Sequence, residues 1–426
     1  MFETSSVRET FVLAAVESER GENAEESLSE LALLVDTCGG FVSGQIIQRR
    51  ERIHPGHYLG KGKLDELLEM VIQTKADGIV TDDELTSAQQ KKLHDILGVK
   101  ILDRTMVILD IFANRAVSAE GKTQVELAQL KYRLSHLSGI GAQLSRQAGG
   151  GGIAGGGIGT RGPGETKLET DRRHIRSRID QLNHELKDLL DNRAVLRKSR
   201  NKSDVPIIAL VGYTNAGKST LMNALTSAGV FVENKLFATL DTTTRKMILP
   251  GGAQALVSDT VGFISKLPHH LIQAFKATLE ELNFADILLH VVDGKNPARA
   301  EQMRTTYNTL VSLGCMDKPI VTVINKSDLF DGDSGLCAVK DENATVCIPI
   351  SALSGDNLPS LLNELEDIIK SMRKKITVLL PYSEGVWVNI LHSKAEIVSE
   401  EHTETGTLIT AYTNAETAGQ LEKFVS

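Results

Sequence analysis

The apolar run Pro206 to Val211, PIIALV, passes directly into GYTNAGKS at 212–219 and then into the helix-forming stretch KSTLMNAL. Two glycines around four residues, followed by Lys and Ser between a strand and a helix, leave the chain little local freedom. The turn must double back so that backbone N–H groups and a helix N-terminus converge on one point, which attracts phosphate. Gly212, Tyr213, Thr214, Asn215, Ala216 and Gly217 are expected to cradle phosphate oxygens. Lys218 is expected to neutralise β/γ-phosphate charge and Ser219 to place its hydroxyl on Mg2+. A glycine-rich turn that binds nothing reads the same in isolation, so the motif needs company.

That company comes in order along the chain. Asp259 ends the apolar run Ala255 to Ser258 and precedes Thr260, Val261 and Gly262. In a phosphate-binding fold this Asp holds Mg2+ through water and the Gly262 N–H meets the γ-phosphate. The strand-like IVTVI at 320–324 then delivers Asn325, Lys326, Ser327 and Asp328 to the carboxyl edge of a doubly wound sheet, its ligand side. Asp328 selects the base: one carboxylate accepts two hydrogens from a guanine edge and finds none to accept on adenine. Ser351, Ala352 and Leu353 end the run VCIPI and are placed to give the base oxygen a backbone contact. Together these motifs predict an α/β P-loop domain with GTP or GDP as ligand.

Two departures bear on catalysis, for which Lys218, Asn215 and Gly262 are the candidates. Phe263 follows DTVG where the best-known small GTPases place a water-orienting glutamine, so intrinsic hydrolysis is expected to be slow, with the missing group supplied from elsewhere in the chain or by a partner. Asn215 takes the place of a second glycine, a feature resembling potassium-stimulated GTPases. It either helps hold K+ against the phosphates, adding the positive charge an arginine finger would give, or braces the loop by hydrogen bonding. Between the first helix and DTVG lies LFATLDTTTR at 236–245. Phe237, Ala238, Thr239, Leu240 and Asp241 are expected to form the switch that orders with GTP, with Thr239 on Mg2+. Thr242, Thr243 and Thr244 compete with Thr239 for that place.

At 426 residues the chain has room for roughly three domains. The first third alternates strand-like and helix-like segments and predicts a small parallel α/β domain over 1–115. Within it, HPGHYLGKGK at 54–63 reads either as an anion or RNA contact or as a basic structured turn. Leu127, Leu130, Leu134 and Leu137, and then Ile175, Ile179, Leu182, Leu186 and Leu189, form two apolar stripes at helical spacing. They predict a helical hairpin over 116–200. Its tip holds 10 glycines in the 16 residues 149–164, flanked by Arg146, Arg161, Lys167, Arg172, Arg173, Arg176 and Arg178. Residues 115–200 carry 16 Lys and Arg against 9 Asp and Glu, a net of +7 in a chain whose net charge is −8. Such an arm suits a crowded RNA cavity, although a second nucleotide cradle or a plain linker also fits the glycine run. The GTPase domain is expected over 201–373. A small α+β domain follows over 374–426, with strands at Ile376 to Leu380, Val386 to Leu391, Glu396 to Ser399 and Gly406 to Tyr412.

Cys38, Cys315, Cys337 and Cys347 show no paired spacing and are expected to be reduced and buried. No basic leader and no apolar run of membrane-spanning length occur, so a cytoplasmic protein without stable membrane insertion is expected; a monomer is expected as well.

YLGKGK, DRTMVILDIFANRA at 103–116, GTRGPGETKLETDRR and FATLDTTTR resemble the HflX family of ribosome-associated GTPases, over nearly the whole length. The resemblance implies a factor that binds the large ribosomal subunit and rRNA through the hairpin and N-terminal domain. It implies that such a factor directs the hairpin tip toward the peptidyl transferase region and splits stalled ribosomes when GTP-bound, with hydrolysis stimulated by the ribosome. It also implies ATP binding through the N-terminal region, for which no adenine-specific motif is present. The alternative reading is a signalling-type switch acting through a protein partner of the N-terminal domain, with the arm as a spacer.

Overall fold

The computed structural model describes residues 8–17, 23–148, 163–200, 205–226, 236–237, 243–266, 268, 271, 279–330, 341–413 and 415–425. The chain forms two compact units. One comprises 1–189 together with 233–241 and 261–278; the other comprises 190–232, 242–260 and 279–426.

In the first unit β1 (Thr10–Glu17), β2 (Phe41–Arg49), β3 (Gly78–Thr81) and β4 (Lys100–Asp103) form a parallel sheet in the order β2-β1-β3-β4. The inner residues of β1 are buried on both faces, as helices on each side of a parallel sheet require. The helices are α1 (Ala24–Thr37), α2 (Lys61–Thr74), α3 (Ser87–Leu97) and α4 (Arg104–Arg115). Local chemistry sets their ends. Thr86 and Gln89 form a reciprocal capping box on α3, Gly98 closes it at φ +67°, and the Asp103 carboxylate caps α4 by accepting from Met106 N. HPGHYLGKGK is a fixed turn: Tyr58 is buried at φ +68°, its hydroxyl donates to Asp83 Oδ2 at 2.6 Å, and Gly60 N donates to Gln48 Oε1 at 2.6 Å.

Two long helices follow, α5 (Ala119–Ala148) and α6 (Pro163–Arg200). They pack through buried Leu127, Ile179 and Leu182, flanked by Leu130, Leu134, Ile175 and Leu186. Arg178 grips Glu126 with two parallel hydrogen bonds of 2.8 and 3.0 Å across this seam. The glycine run 149–162 lies outside the described residues.

The second unit is built on β5 (Ile207–Gly212), β6 (Thr243–Ile248), β7 (Gln254–Asp259), β8 (Ile287–Asp293), β9 (Ile320–Asn325) and β10 (Val346–Pro349). Their order is β10-β9-β8-β5-β7-β6, parallel except for β6, which runs against β7. Helices α7 (Lys218–Thr226), α8 (Arg299–Leu313) and α9 (Leu358–Met372) accompany the sheet, and Leu221, Leu361 and Leu365 are buried in its core. A separate antiparallel sheet, β11 (Lys374–Pro381), β12 (Glu396–His402) and β13 (Gly406–Thr413), carries α10 (Gly385–Lys394) and α11 (Ala415–Gln420). The expected strand Val386 to Leu391 is α10 instead. Val388 and Leu391 share a helical face, and Leu391 is fully buried in the small core, so packing overrides the strand preference of VWVNIL. Among the described residues no helix is long and apolar enough to cross a membrane.

Candidate functional site

Because β5, β7, β8 and β9 are parallel, the residues that end them share one edge of the sheet. Gly212 ends β5 at φ +145°, and a Cβ there would lie 2.3 Å from Val291 O, so only glycine lets the turn leave the sheet here. Gly217 sits at φ +96° with Asn325 directly against it; a Cβ would come within 2.1 Å of Asn325 Nδ2.

Asn325 is a strut. Its Nδ2 donates to Ala216 O at 2.8 Å, and its Oδ1 accepts from Ala352 N at 2.9 Å, which ties the glycine turn, NKSD and the Ser351 loop into one rigid edge. In the Ser351 loop, Ala352 N donates to Asn325 Oδ1, Ser351 N donates to Asp356 O at 3.1 Å and Ser354 N donates to Ser351 Oγ at 3.1 Å, while the Leu353 side chain is exposed. Ser351 Oγ donates to Asp328 Oδ1 at 2.6 Å, fixing the exposed carboxylate while Oδ2 and a second lone pair on Oδ1 keep acceptor capacity. Ser327 N donates to Ile350 O at 3.0 Å. Lys326, at φ +66°, pairs with Asp293 Oδ2 at 2.6 Å. Asp293 is marked in the sequence only as the acid that closes the apolar run ILLHVVD.

Lys218 is buried, and its ammonium donates to the carbonyls of Gly212 (3.0 Å) and Tyr213 (2.8 Å). Burial lowers its pKa to about 8, against the raising influence of Asp259. A buried cation that meets neutral carbonyls is poised for an anion. Thr214 is also buried, and its hydroxyl finds no hydrogen-bond partner among the described residues. Ser219 Oγ donates to Asp259 Oδ2 at 2.9 Å, bringing together the hydroxyl and the carboxylate expected at Mg2+. Thr260 turns its hydroxyl inward, to Leu210 O at 2.6 Å. Asn215 takes a left-handed conformation, φ +60°, which Asn tolerates better than most residues, and its exposed side chain makes no hydrogen bond among the described residues.

The switch segments group with the other unit. Phe237, at φ +54°, is buried edge-on to Phe112 of α4 with ring centroids 4.8 Å apart, so its ring serves packing there. Val261, Gly262 and Phe263 are buried, and Phe263 is only 3% exposed. Lys266 donates to Asp82 Oδ2 at 2.6 Å. Ala238, Thr239, Leu240, Asp241 and Thr242 lie outside the described residues, while Thr243 and Thr244 are paired within β6 opposite Asp259 and Ser258.

Three family descriptions match in succession: GTP-binding GTPase N-terminal over 25–113, GTP-binding GTPase Middle Region over 115–200, and 50S ribosome-binding GTPase over 207–326. The GTPase HflX of Lacrimispora saccharolytica is 49% identical over 416 residues, covering 98% of this chain and 96% of that one. That of Caldanaerobacter subterraneus is 45% identical, covering 100% and 96%. That of Escherichia coli is 39% identical, covering 90% and 88%. With three family descriptions matched in succession and relatives matched over 90% or more of its length, the chain belongs to the HflX family of GTPases.

Proposed function

We propose that this GTPase binds the large ribosomal subunit in its GTP-bound form, carries the tip between α5 and α6 toward the peptidyl transferase region, and separates stalled ribosomes. One observation carries the reading. On α6, Arg173 and Arg176 are exposed and make no ion pair or hydrogen bond among the described residues, while nearby Arg178 is engaged with Glu126. Charge left over after the hairpin has been stabilised is charge available to phosphate. The match to a family described as 50S ribosome-binding supports the same partner.

In the nucleotide site, Ser219 and Thr239 would hold Mg2+, with Asp259 acting through water; an all-oxygen set suits that small hard cation. When bound, Mg2+ supplies positive charge to the β- and γ-phosphate oxygens. Lys218 orients the same oxygens, and Asp328 reads the guanine edge. Asn215 is free to help hold K+, because the loop does not use its side chain as a brace. Phe263 is buried and cannot orient water, so a ribosomal group or another residue completes hydrolysis.

Sedimentation through sucrose gradients with purified large subunits tests the partner. Comigration with a non-hydrolysable GTP analogue and release with GDP is expected; no comigration in either state overturns the assignment. Equal hydrolysis rates in sodium and potassium would remove K+ from the account. Replacing Arg173 and Arg176 by Gln should reduce the salt dependence of subunit binding, by about 0.9 in logarithmic slope for each phosphate no longer neutralised.

A further inference from the structure

The N-terminal unit contains a cavity of about 560 Å³ that the nucleotide chemistry does not use. Its floor is the sheet, at Phe11, Val80 and Leu102, and its walls are Val35 near the end of α1 and Met106 of α4. At the polar end, α5 contributes Gln129 and Arg133, four residues apart and therefore on one helix face. The other cations lining it already have partners: Lys100 pairs with Glu9 at 2.9 Å and Arg8 with Asp36 at 3.8 Å. Arg133 and Gln129 have no hydrogen-bond or ion partner among the described residues.

A pocket of this size, mostly apolar with a few convergent polar groups, has the form of a small-molecule site. We propose that it binds a small monoanion with an apolar ring or chain, the body against Phe11, Leu102 and Met106 and the anionic head on Arg133 and Gln129. The surroundings limit the charge of the ligand. Glu9 and Asp110 also line the cavity, and a single unpartnered cation cannot balance a polyphosphate. Nor is there a backbone cradle: the N–H groups of Gly39 and Gly40 at the rim already donate to Asp36 O and Val35 O. Cys38, also at the rim, gives a neutral contact, since burial and the neighbouring Asp110 push its thiol up to about 12.

Fluorescence titration of the full chain with anilinonaphthalene sulfonate, an apolar double ring with one negative charge, tests the site. Saturable binding with one probe per chain is expected. Arg133→Gln should weaken it by about tenfold, the loss of one charge-assisted hydrogen bond. Met106→Trp, which fills the cavity from a half-buried wall position, should weaken it at least as much. Both variants must keep the parent's thermal melt and GDP affinity, which separates loss of the pocket from loss of the fold. Probe affinity unchanged in both folded variants, or displacement of the probe by millimolar ATP, would overturn the assignment.

Discussion

At the carboxyl ends of β3 and β4 in the N-terminal unit, the buried acids are satisfied from within. Asp82 accepts from Arg104, Ser27 and Lys266, and Asp103 accepts from Tyr132, Leu85 N and Met106 N. At the same ends of β5 and β9 in the GTPase unit, the groups are held in place but left incomplete. Lys218 has carbonyls only, the Thr214 hydroxyl has no partner among the described residues, and Asp328 is fixed by one oxygen. Along these strands both sheets are parallel, and both present polar loops at the edge where such folds bind ligands. The difference teaches that topology offers the site, and that the accounting of each buried charge decides whether a ligand is needed to complete it.

The largest effect that would sharpen this contrast is at Arg104, nearly fully buried between Asp82 and Glu30. Arg104→Ala removes one buried ion pair from each of two carboxylates, Asp82 keeping Ser27 and Lys266, and should cost roughly 3–5 kcal/mol in thermal or urea unfolding, with GDP affinity of the folded protein unchanged. At the open edge, Asp328→Asn should lower GDP affinity by roughly 10- to 100-fold and shift preference toward xanthosine diphosphate, whose base offers a carbonyl where guanine offers an amino group. Isothermal titration measures both.

The pH dependence follows from Lys218. Its pKa near 8 in the free protein is raised by bound phosphate, so above pH 8 nucleotide binding must take up a proton. GDP affinity should be flat below pH 8 and fall above it, by up to about tenfold per pH unit; a flat profile to pH 9.5 breaks this assignment. Smallest is Tyr132→Phe at the closed edge, which removes a 2.7 Å hydrogen bond to Asp103 while two backbone donors remain. About 1 kcal/mol of stability should be lost, with no change in nucleotide binding.

The nucleotide edge was legible because its chemistry fixes residue type and spacing together: Gly212 and Gly217 are required where Val291 O and Asn325 approach the backbone. Asn325 stands out in NKSD as a candidate site residue but not as the strut it forms, since its partners lie 109 and 27 residues away. Phe237 belonged to a recognisable switch motif, yet nothing local predicts that its ring packs on Phe112. VWVNIL read as a strand because β-branched residues dominate it, whereas its burial follows helical spacing on the small sheet. Arg178 looked like its basic neighbours until Glu126, on the facing helix, claimed it.

Lys218→Met tests the contrast most directly, because it removes the buried charge and keeps the apolar stem. The depressed pKa means that the free protein holds this ammonium at a cost on the order of 3 kcal/mol at neutral pH. The variant is therefore predicted to melt, without nucleotide, at or above the parent's temperature while GDP affinity falls by about 100-fold. A variant that melts several degrees lower without nucleotide, or that keeps its GDP affinity, would contradict the account.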